Sequence, residues 1–290
     1  MNKGVIWMLH SVESDSARTA ASSIFRRLTV SPSMLEAEIV KMRNAGWTFV
    51  TAAQFMQNKH DDQEHRNVLI TIDDGFRNIY TDAFPLFRKL NVPFVFYVST
   101  GLIEHGFRIC QYAQLDGLMA ICDLAPMRGL DPDRCFRRYR RFRRWLPFID
   151  GRRLLSFILG GDINFERYLH ESVVSPEELK EMSDSGLCEV GSHTDSHIHV
   201  DRCRKIEQEL KESKKKIEQW TGRACETFSF PYGHVDDRSL AEVRKIYKWA
   251  VRDMHPPHDI VTDASDDYLL PRRFFLPAEL TGSELSDAVK

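Results

Sequence analysis

A chain of 290 residues and 33.7 kDa, with 42% hydrophobic and 28% charged residues, has the composition of an ordinary globular protein, neither disordered nor fibrous. Its length allows one or two domains, and α/β barrels commonly run to about 250 residues as a single one. The formal net charge of −2 hides an asymmetry: residues 128–153 hold ten Arg against three Asp, a local +7, so the remainder carries −9, which argues against nucleic acid as a general partner.

The apolar run Val5–Leu9 reads as a buried strand. Interrupted by His10 and Glu13, it is too short for a signal-peptide core or a membrane span. Ser31-Pro32 opens a helix with Met34, Leu35, Ile39 and Met42 on one face, and Gly46 closes it. Trp47–Val50 is a short strand, Thr51–Asn58 a short helix, and the polar stretch Lys59–Asn67 a loop before the apolar strand Val68–Ile72. Phe84, Leu86, Phe87 and Leu90 mark the next helix, and Pro93–Val98 another apolar strand. Continuous apolar strands separated by helices indicate a parallel sheet covered on both faces. The pattern lapses after Gly101. It resumes at Ser175-Pro176-Glu177-Glu178, a capping-box start, and Gly186 ends that helix. Leu187–Val190 (strand), Asp201–Trp220 (helix), Thr227–Phe230 (strand) and Asp237–Tyr247 (helix) restore the alternation, with Lys248–Arg252 and Leu269–Phe275 as last strands. The expected architecture is one α/β domain spanning 1–290, with an insertion at about 102–174. The six cysteines lie far apart with no C-x-x-C pair, so they read as reduced thiols of a cytoplasmic protein.

Three polar clusters each follow a predicted strand: Asp73-Asp74-Gly75, His193-Thr-Asp-Ser-His197 and Pro231-Tyr232-Gly233. In a parallel barrel all three open at the carboxyl ends of the strands, where barrel enzymes keep their sites. Adjacent carboxylates leaving a strand point in different directions, so one can bind a metal while the other accepts a proton. The same residues also fit a turn in which Asp74 caps the next helix. His193 and His197 have the i, i+4 spacing that lets two imidazoles reach one metal, although solvated or core histidines share that spacing. With Asp74 they form a two-His, one-carboxylate set with open positions, the pattern of a catalytic metal site. His199 reads as a loop residue outside the set. Pro231-Tyr232-Gly233 is a turn by composition, and as a rigid loop it can present a backbone N–H to an oxyanion while the Tyr ring lines a sugar or amide pocket.

These residues resemble the polysaccharide deacetylases of the NodB-homology type, carbohydrate esterase family 4. The resemblance rests on Thr71-Ile72-Asp73-Asp74-Gly75, His193-Thr194-Asp195-Ser196-His197 and Phe228-Ser229-Phe230-Pro231-Tyr232-Gly233, in that order, and covers nearly the whole chain outside the insertion. It implies a distorted (β/α) barrel of about seven parallel strands and hydrolysis of an N-acetyl group on an amino sugar. It also implies one divalent metal ion, usually zinc and sometimes cobalt or nickel. Residue by residue, Asp74, His193 and His197 match its metal ligands, Asp73 its catalytic base, and Tyr232 the residue whose backbone N–H helps hold the oxyanion.

The chain departs from that pattern at two places. The family commonly has an Arg two residues before the Pro of the third motif, orienting the base, where this chain has Ser229; Arg272 on the predicted last strand is the candidate substitute. The family's late Leu-x-His motif, which supplies the acid, has no clear counterpart, and His255 and His258 sit in a loop without it. In a closed barrel the first strand neighbours the last, so a catalytic group can move between chain ends and keep its place in space. His10 is therefore the preferred general acid, against the plainer reading of a structural strand-end His.

The insertion contains R-C-F-R-R-Y-R-R-F-R-R-W over Arg134–Trp145, with aromatics every third position between Arg pairs. As a helix it resembles an interfacial segment for anionic headgroups, implying peripheral membrane contact at the inner face. Alternatively its aromatics pack on the barrel and its arginines are solvated. The expected substrate is an N-acylated amino sugar of a bacterial polysaccharide or of its lipid- or nucleotide-linked precursor, whose phosphates the arginines can bind. A deformylase on a lipid-linked amino sugar and an inactive glycan- or lipid-binding barrel are the alternatives.

Overall fold

The computed structural model describes residues 3–14, 28–58, 65–105, 121, 124–145, 151–164, 172–253, 268 and 273–275. Ten strands carry the architecture: β1 (Lys3–Leu9), β2 (Ser11–Val12), β3 (Thr29–Val30), β4 (Thr48–Phe49), β5 (Arg66–Ile72), β6 (Phe94–Val98), β7 (Cys188–Ser192), β8 (Thr227–Ser229), β9 (Trp249–Val251) and β10 (Arg273–Phe275). The main sheet runs β10-β1-β5-β6-β7-β8-β9, with β4 paired to the start of β5, and every pairing in it is parallel. This is a sheet curled into a half-barrel with flanking helices, seven strands along its path. β2 and β3 form a separate two-stranded sheet that no local pattern announced.

Helices join the strands: α1 (Pro32–Asn44), α2 (Ala52–Asn58), α3 (Phe84–Leu90, preceded by one π-helical turn over Ile79–Ala83), α4 (Thr100–His105), α5 (Pro132–Trp145), α6 (Gly151–Leu159), α7 (Pro176–Asp184), α8 (Ile206–Thr221) and α9 (Asp237–Arg244). Their starts follow the sequence signals. Ser31 accepts from Met34 N–H at α1, and Ser175 and Glu178 close a reciprocal capping box at α7. On α1 the buried apolar residues are Leu35, Ile39 and Met42, while Met34 is only half-buried. α8 begins later than the charge pattern predicts, because Val200–Arg202 forms a separate 3₁₀ turn before it.

Two large apolar cores and one small cluster, Leu102 with Val173, lie among the described residues. The larger lies between sheet and helices, where β6 is buried along its whole length, and includes Trp7, which meets Phe49 edge-on at 5.4 Å. Close packing there has a specific requirement: a Cβ at Gly191 would stand 2.5 Å from the Tyr97 ring, so β7 passes β6 only with glycine at that point. The second core belongs to the inserted helices and gathers Ile121, Ala125, Cys135, Phe136, Tyr139, Leu154, Leu155, Ile158 and Leu159. The aromatics of α5 therefore face a partner helix, since Phe136 and Tyr139 pack with α6 and not into solvent. One barrel residue joins this second core, Phe76.

Candidate metal centre

Each of the three polar clusters sits at a strand's carboxyl end. Asp73 and Asp74 leave β5, and Asp73 N–H donates to Leu9 O at 3.0 Å, tying the turn to the end of β1 beside His10. Asp74 holds φ +81°, a conformation costly for a non-glycine residue, and its carbonyl accepts from Ser99 N–H at 3.2 Å. His193 leaves β7, its N–H bonded to Val98 O at 3.0 Å and its carbonyl accepting from Ser99 Oγ at 3.0 Å. Thr194 and His197 also hold positive φ, +66° and +46°.

The loop between the two histidines is held through Asp195. Its Oδ1 accepts from Thr100 Oγ1 at 2.6 Å and from Lys216 Nζ at 2.9 Å, and its carbonyl accepts from Gly101 N–H at 2.8 Å. Lys216 on α8 also pairs with Glu104. Burial opposes its charge, but these two carboxylates outweigh it and hold its pKa above the ordinary lysine value. One residue further, Ser196 N–H donates to Glu209 Oε2 at 2.9 Å.

These anchors bring Asp74, His193 and His197 together. One ligand atom from each lies within 4.8 Å of the others, and all three residues are buried. His197 Nε2 is 3.2 Å and His193 Nε2 3.6 Å from Asp74 Oδ1. His193 Nδ1 lies 2.9 Å from Ser229 O, and a carbonyl only accepts, so the proton sits on Nδ1 and Nε2 keeps its lone pair for a cation. His197 Nδ1 meets Tyr232 Oη at 3.2 Å, a contact that holds the second ring with Nε2 toward Asp74. Asp74 Oδ2 is buried without a hydrogen-bond partner. An unsatisfied buried carboxylate oxygen beside two oriented imidazoles is the donor set a divalent ion requires, so the residues present fit one. Burial alone would raise the Asp74 pKa; the surrounding imidazoles of His197, His10 and His193 outweigh it and hold the carboxyl well below the usual carboxylate range.

Asp73 lies beside the triad, its Oδ2 3.9 Å from His193 Nε2. Ser229 Oγ donates to that oxygen at 3.3 Å, so the position where the family commonly carries Arg here holds a shorter, neutral donor. His10 follows β1, and β10 pairs alongside that strand in parallel, Met8 opposite Phe275, the neighbour relation that placing His10 in the site required. Tyr232 holds φ +60° and is 39% exposed, the most open ring at the site. A Cβ at the following Gly233 would stand 2.8 Å from Asp253 O, so that turn needs glycine. His199 is no member of the triad but stacks on Tyr232, centroids 4.1 Å apart and planes 14° from parallel. Arg272, His255 and His258 lie outside the described residues. Sequence reasoning missed Tyr232 Oη, Ser229 O, Asp195 and Lys216, all of which act on the ligands through contacts with no local pattern.

The family model for polysaccharide deacetylase matches residues 60–247. The chain belongs to the polysaccharide deacetylase family. These enzymes are carbohydrate N-deacetylases, hydrolases of the class that the motifs imply. The chain is 22% identical over 267 residues to a poly-beta-1,6-N-acetyl-D-glucosamine N-deacetylase of Staphylococcus aureus, covering 87% of this chain and 70% of that protein. Among solved structures, a polysaccharide deacetylase from Bacillus cereus superposes with a TM-score of 0.67 at 21% identity, over 100% of this chain and 69% of that one. A Streptococcus pyogenes deacetylase in complex with acetate gives 0.67 at 17% identity, over 99% and 98% of the two chains. At these identities the structural likeness shows the family's (β/α) fold.

Proposed function

We propose that this deacetylase removes an N-acetyl group from an amino sugar of a bacterial polysaccharide or of its lipid- or nucleotide-linked precursor. The observation that carries the reading is the buried Asp74–His193–His197 triad with Asp73 beside it. Asp74, His193 and His197 would hold one divalent metal ion, zinc by preference and cobalt or nickel as options, which when bound polarises the acyl carbonyl and acidifies water. Asp73 accepts the proton of the attacking water, steadied by Ser229 Oγ. The Tyr232 backbone N–H donates to the oxyanion as it develops, and its part-exposed ring lines the sugar pocket. His10, at the end of β1, delivers a proton to the leaving amine. Arg272, the candidate substitute for the Arg that commonly orients the base, is assigned the role of supplying a guanidinium to Asp73. The whole chain serves as one barrel domain, with 102–174 as its insertion. A cytoplasmic location goes with this reading, supported by Cys135, Cys188, Cys203 and Cys225 all being free thiols.

The test pairs elemental analysis of the purified protein, before and after chelation, with release of acetate and of formate from N-acylated amino sugars. One bound divalent ion with metal-dependent acetate release is expected. Formate release without acetate would convert the reading to a deformylase, and absence of metal under every loading condition would end it in favour of a binding barrel.

A further inference from the structure

The outer face of the inserted helices is built for a surface, not for the barrel. On α5 the arginines Arg134, Arg137, Arg138 and Arg141 recur at i, i+3, i+4 and i+7, the spacing of a single stripe, and all four are exposed. The opposite side carries the buried Cys135 and Tyr139. No acidic residue follows Asp133 on this helix, so the stripe has no alternating sign to neutralise it. Like charges three and four apart on a helix repel. A stripe tuned for the stability of the free protein would interleave carboxylates; a stripe of one sign matches a surface of the other.

The second helix adds an apolar ridge. Phe157 on α6 is 65% exposed, and Arg153, one turn earlier on the same face, is exposed as well. The Phe157 ring meets Phe142 edge-on at 5.8 Å, and Phe142 lies one turn beyond Arg138 on α5. Cations thus flank a protruding ring on both helices. Met127, at the end of the short helical segment before α5, is 82% exposed and is the most open large apolar side chain among the described residues. A soluble polyanion rewards the arginines alone, because it offers nothing for the ring or the thioether to enter. A bilayer with anionic headgroups offers both, charge at the surface and an apolar boundary a few ångströms below it.

We infer that the Arg134–Arg137–Arg138–Arg141 stripe with Phe157 is a docking surface for an anionic lipid bilayer. The consequence for catalysis, that the enzyme works on amino sugars presented at a membrane, rests on the deacetylase reading. The docking itself does not. The inserted unit shares Phe76 with the turn that carries Asp73 and Asp74, and Val174 N–H returns to Gly75 O at 3.1 Å, so the docking face and the metal centre are joined by packed residues.

The full chain is sedimented with vesicles of phosphatidylcholine alone and of phosphatidylcholine containing phosphatidylglycerol. Partitioning to the anionic vesicles only, and its loss at high salt, are expected. The double variant R137A/R141A should lower partitioning by roughly 30-fold. F157S should weaken it several-fold at each salt concentration where the wild type still binds, as an apolar contribution does. Acetate release from a soluble sugar should be unchanged in both variants, since none of their three residues belongs to the metal centre. Equal sedimentation of wild type and both variants would overturn the proposal. So would binding to polyphosphate, unaffected by F157S, from a protein that ignores vesicles, which would make the stripe a polyanion site. Partitioning is read without turnover, so loss of the deacetylase reading and loss of this one are separately visible.

Discussion

Asp74, Thr194, His197 and Tyr232 all hold positive φ without being glycine, whereas among the described residues of the insertion positive φ falls only on Gly129, Gly160 and Gly161. The barrel's strand ends keep strained backbone because neighbouring bonds over-determine it: Ser99 on Asp74 and His193, Thr100 and Lys216 on Asp195, Tyr232 on His197. The described part of the inserted pair has relaxed backbone and carries its unusual feature on the outside, as a stripe of exposed arginines with no carboxylate after Asp133 on their helix. One region fixes a few atoms relative to each other, which requires rigidity. The other presents a field and a ridge, which requires only that side chains be exposed.

Substitutions should separate the two regions. Asp74→Ala or His193→Ala should remove the bound metal and lower acetate release roughly a thousand-fold or more, with circular dichroism unchanged, because Lewis-acid polarisation contributes several kcal/mol; a variant that kept stoichiometric metal would break the ligand assignment. Asp73→Asn should retain metal and lose about 10²–10⁴ in kcat, the usual span for a removed general base. Lys216→Met should weaken metal affinity about 10- to 100-fold in competition with a chelator, as loss of an outer support does, and Lys216→Arg should restore part of it. If affinity held while thermal stability fell, Lys216 would be an ordinary ion pair. Ser229→Ala, which keeps the carbonyl used by His193, should leave metal affinity alone and cost only a few-fold in kcat, on the order of one ordinary hydrogen bond. Smallest of all, R137A/R141A should raise thermal stability by a few tenths of a kcal/mol, since it relieves like-charge neighbours in the region that does no chemistry.

The strands were legible because parallel sheets bury both faces and so write themselves as continuous apolar runs; β5 and β6 show it plainly. The grouping of Asp74, His193 and His197 was legible because Asp74 and His193 leave the ends of such runs and His197 follows four residues on. Phe76 was not. Two residues past Asp74, it reads as part of the barrel, yet its side chain lies in the core of helices that begin more than forty residues later. Lys216 was equally silent, one charge among many on a solvated helix until Asp195 meets it at 2.9 Å. The aromatics of α5 had an ambiguous reading for the same reason: a periodic stripe shows that a face exists, not what covers it.

The pairing of β1 with β10 brings together Ile6 and Arg273, near opposite ends of the described chain. A ribosome delivers these two strands far apart in time, and a contact of such sequence separation forms only after a long loop has closed. β1 can pair with β5 early, so most of the sheet is able to assemble during synthesis. The edge of the strand leading to His10 stays uncovered until β10 arrives. Asp74, His193 and His197 are therefore all in the chain before the strand that leads to His10 gains its second neighbour.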